Sequence, residues 1–286
     1  MRAATANMRE AARIEAMLRA FTEGGLSPIE ASDVAIIVAH PDDETIGCGG
    51  QLLRLRGATV VVVTDGAPRN GHDARTHGFE TVQAYAARRR QELSSALQIA
   101  GEGTARIVCL DIPDQEAAFA LPQITRRLAM LFASLDIAVA LTHSYEGGHP
   151  DHDATAFAVH AAAECPRVSG QTDIIEMPFY RLGRSGFVHQ RFSGRERSTE
   201  IVASLTRDQQ ALKRRMIAAH ASQTALLASF TVDVERFRVA PRYDLTKLPN
   251  GGRLLYEHYD WGLDGARWSS LASSALAELR GAEGSC

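Results

Sequence analysis

Two uninterrupted β-branched runs dominate the N-terminal half of the chain, DVAIIVAH from residue 33 and ATVVVVTDG from residue 58. Apolar runs without polar alternation fit strands covered on both faces, as in parallel sheets. Between them CGGQLLRLRG reads as a helix ended by Gly57, so the segment has the strand–helix–strand order of a βαβ unit. The pattern repeats: a helix over about residues 81–100, a strand at ARIVCLDI, a helix over about 123–135 and a strand at DIAVALTHS. An amphipathic helix over about residues 8–21 precedes this series and is broken by Gly24, Gly25 and Pro28. After it come a helix over about 154–163, a strand in TDIIEMPFY, an Arg-rich connection, a helix over about 207–229 and a mixed tail.

The series predicts an α/β fold: a doubly wound, mostly parallel Rossmann-like sheet flanked by helices, with a smaller C-terminal lobe on the substrate side. One domain over residues 1–286 is expected, with a catalytic core over about 30–155 and a substrate-side capping region over about 156–286. Ligands of such sheets bind beyond the carboxyl ends of the strands, so the residues after Val38, Val63, Leu110 and Leu141 should converge on one crevice.

Composition narrows the partners. The 286 residues carry 31 Lys+Arg against 34 Asp+Glu, which gives no general attraction to nucleic acid or to an anionic membrane. No window has the length of uncharged apolar sequence that a membrane helix needs, and the first thirty residues lack the apolar region of a signal peptide. Cys48, Cys109, Cys165 and Cys286 form no C-x-x-C pair, which points to a reduced, cytoplasmic setting. Homo-oligomer formation is left open.

The chemistry is concentrated at two strand ends. AHPDDETIGCGG places His40, Asp42, Asp43 and Glu44 directly after the first strand, and HSYEGGHPDHDA places His143, His149, Asp151, His152 and Asp153 after a later one. Imidazoles and carboxylates at this density are what a hydrolytic metal centre needs, with a further carboxylate to accept a proton from water. In H-P-D-D the spacing lets His40 and Asp43 turn inward together, and His149 and His152 have the same separation in H-P-D-H. Each proline biases the preceding histidine towards an extended backbone at the strand exit.

AHPDDE and HPDH in this order resemble the signature pair of the LmbE/PIG-L zinc-dependent N-deacetylases. The resemblance runs from about Val34 to Asp153 and more loosely to the tail. It implies Zn2+ held by His40, Asp43 and His152, with Fe2+ or Co2+ as other metals such a donor set accepts. It also implies Asp42 as general base, His149 as a protonated acid or oxyanion stabiliser, and Asp151 as the partner that keeps His149 charged. The implied reaction removes an N-acetyl group from an amino sugar or a GlcNAc-containing glycoconjugate.

Family members often carry a tyrosine shortly before the first histidine of the second motif, and Tyr145 is the candidate for that place. Asp65 and Arg69 in the loop after the second strand, Arg89 in an R-x-x-E pair with Glu92, and Glu176 are candidate substrate contacts. His220, in LKRRMIAAHASQ, sits at helical spacing with Leu212 and Met216 and reads as a packed histidine. Three other functions share part of this pattern. An amidase of larger thiol–sugar conjugates would share the signature, and a non-catalytic protein would share the fold. A nucleotide-binding protein is disfavoured because G-C-G-G lacks the G-x-G-x-x-G spacing and the acidic HPDDE would repel pyrophosphate.

Overall fold

In the computed structural model, which describes residues 2–101, 105–165, 172–193 and 200–281, the elements follow the predicted alternation. The first half runs α1 (Arg2–Glu23), β1 (Ile29–Glu30), β2 (Val34–Val38), α2 (Asp43–Leu52), β3 (Leu55–Arg56), β4 (Ala58–Thr64), α3 (His72–Thr76), α4 (Val82–Ala100), β5 (Ala105–Ile112), α5 (Leu121–Ser134), β6 (Val139–His143) and α6 (Pro150–Ala163). The second half runs β7 (Asp173–Met177), β8 (Tyr180–Gly183), β9 (Gly186–His189), β10 (Ile201–Ser204), α7 (Arg207–Ala219), α8 (Thr224–Leu227), β11 (Val234–Val239) and α9 (Gly265–Gly281).

Seven strands form one sheet in the order β10-β11-β7-β6-β2-β4-β5. β7, β6, β2, β4 and β5 are parallel, and β11 and β10 continue the sheet antiparallel. The chain therefore winds outward from β2 in both directions, and the crevice opens at the carboxyl ends of β2 and β6. β8 and β9 form a separate hairpin.

The uninterrupted valines of β2 and β4 are explained by cover on both sides. Val34, Ile36, Val38, Val60 and Val62 pack into one apolar core with residues of α1, α2, α4 and α7. Ala35, Ile37, Val61 and Val63 pack into another with residues of α5, α6 and α9. Among the described residues, no helix is long and apolar enough to cross a membrane.

Two helices depart from expectation. α2 starts at Asp43, five residues before the predicted CGGQ start, and all ten of its residues are buried. Acidic side chains in a first turn are favoured by the helix dipole, which an apolar-periodicity argument overlooks. Gly50 lets this helix approach its cover, since a Cβ there would lie 2.5 Å from Leu205 Cδ1. The predicted helix over 207–229 breaks at His220, whose ψ of 57° ends α7 before a short 3-10 turn and α8.

Candidate active site

The loop between β2 and α2 carries the first motif. His40 follows the strand, its backbone N–H donates to Asp43 Oδ2 at 2.8 Å, and its ring Nδ1 lies 3.2 Å from the same oxygen. Asp42 stands at the helix N-cap with φ 145°, a region that non-glycine residues rarely occupy. Several contacts hold it there: Asp42 N–H donates to Glu44 Oε2 at 3.0 Å, and Arg89 Nη2 donates to Asp42 Oδ2 at 3.1 Å. Arg89, reaching in from α4, also donates to the carbonyls of Gly66 and Pro41. Strain of this kind persists only where surrounding contacts impose it, and it gathers at functional sites.

The second motif enters on the loop between β6 and α6. Gly148 lets this loop lie against the β8 backbone, because a Cβ there would stand 1.9 Å from the Tyr180 carbonyl oxygen. Asp153 Oδ1 accepts from the N–H groups of Glu146 and Gly147 and closes the turn. His152, in the first turn of α6, presents Nε2 to His40 Nδ1 at 3.3 Å and to Asp43 Oδ2 at 3.5 Å.

His40 Nδ1, His152 Nε2 and Asp43 Oδ2 thus stand 3.2 to 3.5 Å from one another. Tetrahedral donors at about 2.0–2.1 Å from a metal are themselves about 3.3–3.4 Å apart. The three atoms fit that spacing, and all three residues are buried. The tautomer agrees with the spacing: with Nδ1 of His40 turned to the triad, its Nε2 faces Asp114 Oδ1 at 3.2 Å and Asp151 Oδ2 at 3.3 Å. An imidazole that ligates a metal commonly donates its other N–H to a carboxylate in this way. The donor set therefore fits a divalent cation.

The imidazoles and carboxylates of the cluster shift one another's protonation. Burial alone would depress His40, but Asp114, Asp151 and Asp43 hold it well above the usual imidazole range. Asp43 is held well below the usual carboxylate range by His152 and His143, against its burial. Burial pushes Asp42 up to about 7, against the pull of Arg89. A cation at the triad would draw it back towards the ionised form.

The structure corrects the expected pairing of Asp151 with His149. Asp151 is wholly buried, and its carboxylate accepts from His40 and from the N–H groups of Gln115 and Ala117. His149 Nδ1 instead accepts the Asp151 backbone N–H at 3.1 Å as the N-cap of α6, which places the ring proton on Nε2. Burial, then the neighbouring His40 and His152, push His149 well below the usual imidazole range, so it is a neutral donor and not a cation.

A cavity of about 280 Å³ opens over the triad. His40, Asp42, Asp43, His149 and His152 line its floor, with Arg89 and Asp114 beside them. Tyr180, Phe187, Phe230, Tyr259 and Trp261 form an aromatic wall, and Trp261 packs on His149 with ring centroids 4.6 Å apart.

Of the other predicted contacts, Arg89 alone lines the cavity. Asp65 and Arg69 pair with each other at 2.6 Å and do not line the cavity. Arg89 does line it, but its guanidinium is engaged in holding Asp42. Glu176 is fully buried and accepts from Arg238 Nε at 2.7 Å, outside the cavity. Tyr145 turns away as well: its hydroxyl accepts from Trp268 Nε1 at 2.7 Å and donates to the Lys247 carbonyl. Tyr145→Phe is accordingly expected to lower stability by about 1–2 kcal/mol in urea unfolding, through the orphaned indole N–H, while leaving kcat nearly unchanged. A tenfold loss of kcat would place Tyr145 in the chemistry. His220 is buried beside Glu44 Oε1 at 3.4 Å and Thr45 Oγ1 at 3.3 Å, apart from the triad.

Sequence reasoning missed Asp114 as a member of the site. For Asp114 a signal existed: it follows β5, one of the strand ends expected to converge.

Residues 35–163 match the family described as PIG-L: GlcNAc-PI de-N-acetylase. The matched segment is similar to that family, and both motifs and the whole candidate triad fall inside it. No curated protein sequence matches the chain. Among solved structures, the fold is similar to A40926 pseudoaglycone deacetylase Dbv21, with TM-score 0.59 and 18% identity over 75% of this chain and 99% of that one. It is similar to the zinc-inhibited form of teicoplanin deacetylase Orf2, with TM-score 0.57 and 17% identity over 74% of this chain and 98% of that one. It is also similar to N,N'-diacetylchitobiose deacetylase from Pyrococcus horikoshii, with TM-score 0.54 and 20% identity over 81% and 92%. At these identities the likeness is one of fold.

Proposed function

We propose that the protein is a metal-dependent hydrolase that removes an N-acetyl group from an amino sugar or a glycoconjugate containing one, with Zn2+ as its metal. The observation that carries this reading is the spacing of His40 Nδ1, Asp43 Oδ2 and His152 Nε2, with Asp42 next to them on the cavity floor. The PIG-L match over residues 35–163 supports it, as does the deacetylase activity in the names of structural neighbours.

His40, Asp43 and His152 would hold the metal, which supplies Lewis-acid activation of water and of the amide carbonyl. Asp42 takes the proton of the attacking water, and Arg89 fixes the direction of its carboxylate. His149 donates its Nε2 proton as a hydrogen bond to the carbonyl oxygen, where negative charge develops in the transition state. Asp151 and Asp114 hold the His40 ring in the tautomer that leaves Nδ1 free of a proton. Trp261, Tyr259 and Phe187 exclude water and offer apolar faces to a sugar ring.

The test is to incubate the Zn2+-loaded protein with a panel of N-acetylglucosamine derivatives and to measure free amine and acetate. Release of both in equal amounts, abolished by a chelator and restored by Zn2+, is the expected result. No turnover of any member while one Zn2+ per chain is bound would overturn the proposal.

A further inference from the structure

Behind the second motif lies another cavity, of about 620 Å³, that shares no lining residue with the first. The β8–β9 hairpin separates them: Tyr180, Phe187 and His189 face the triad side, whereas Arg181, Gly183, Arg184 and Val188 face the other. The β6–α6 loop divides in the same way, with Ser144, Tyr145 and Glu146 on the second cavity and His149 on the first.

Six basic side chains line this second cavity, Arg181, Arg184, Arg238, Arg242, Lys247 and Arg253, against Glu146 and Asp244. The two acids do little to neutralise them. Asp244 pairs with Lys247 at 3.2 Å, and burial pushes Glu146 up to about 8, so it carries a proton at neutral pH. Arg238 is matched by Glu176 at 2.7 Å.

Among the described residues, four guanidiniums make no ion pair. Arg181 donates to the carbonyls of Arg191 and Phe192 and lies near Glu146, and Arg253 reaches Asn250 Oδ1 while its Nε is buried without a partner. Arg184 and Arg242 make no ion pair among the described residues. In a chain whose net charge is -3, such a concentration of positive charge around one concavity requires an explanation. Mutual repulsion disfavours it unless an anion is present to relieve it.

We propose that this cavity binds a small molecule bearing two or more oxyanion groups, of which a diphosphate is the simplest. Guanidiniums offer paired N–H donors that match phosphate and carboxylate oxygens, and several of them around one space favour a multiply charged ligand over a single anion. The volume is in the range of small-molecule sites. Tyr243, Leu248 and Pro249 supply an apolar side for the organic part of such a ligand.

Isothermal titration of the full chain with pyrophosphate at low ionic strength tests the proposal. Metal-stripped protein is used, so that chelation at the triad cannot produce the heat. Saturable 1:1 binding is expected, at least tenfold tighter than that of orthophosphate and weakened steeply by added NaCl. Arg184 and Arg242 are exposed, and the Arg184→Gln/Arg242→Gln double variant should keep its melting temperature and lose at least tenfold in pyrophosphate affinity. Absence of saturable binding at millimolar pyrophosphate, equal affinity for orthophosphate, or unchanged affinity in the double variant would overturn the proposal.

Discussion

Asp42→Asn is expected to lower kcat by about 10²–10⁴-fold with the metal content unchanged, the usual range for loss of a positioned general base. The substitution keeps the shape of the side chain, and its amide oxygen can still accept from Arg89 Nη2, so the strained loop stays in place. What disappears is the capacity to take a proton. The three atoms proposed to hold the metal belong to other residues, so one Zn2+ per chain should remain by elemental analysis. Full activity in this variant would remove Asp42 from the mechanism. Loss of the metal together with activity would assign it to the donor set instead.

The largest effect on stability is expected at a residue outside the cavity. Lys213 and Glu235 are both fully buried, with Nζ 2.7 Å from Oε1. Lys213 also donates to the Ile46 carbonyl, and Glu235 accepts from Gly50 N–H, so the pair fastens α2 from two sides. Lys213→Met leaves a carboxylate buried with no counter-charge, which should cost about 3–5 kcal/mol in urea unfolding. Adding Glu235→Gln removes the stranded charge while keeping an acceptor for Gly50, and most of the loss should return. If the single variant is as stable as the wild type, the pair is not what holds α2. Because Asp43 opens that helix, the single variant should also bind Zn2+ more weakly.

Much of this site could be read from the chain because its determinants are local. The valine runs of β2 and β4 identify doubly covered strands, the first H-P-D motif follows β2 directly, and the second opens the helix that follows β6. What escaped depends on the direction of side chains and on distant partners. Tyr145 is near His149 in sequence, yet packing of Trp268 determines where its hydroxyl goes. Arg89 meets Asp42 across 47 residues, and nothing in the R-x-x-E pattern distinguishes holding the base from touching substrate. The family resemblance implies Asp151 as the carboxylate partner of His149, but the N-cap geometry of α6 gives that contact to its backbone N–H and turns the carboxylate to His40. Asp114 lies in no motif at all, and only the convergence of strand ends brings it to the floor.

The cavity over the triad has a divided origin: its acids and most of its imidazoles come from loops between β2 and α6, whereas most of its aromatic wall comes from residues 180–261. Tyr180 packs on the His152 ring with centroids 5.3 Å apart, but among the described residues Phe187 and Tyr259 have no ring contact with His40 or His152. On the proposed reaction, substitutions at such rim positions should change which substrates the cavity admits before they change metal content or the state of Asp42.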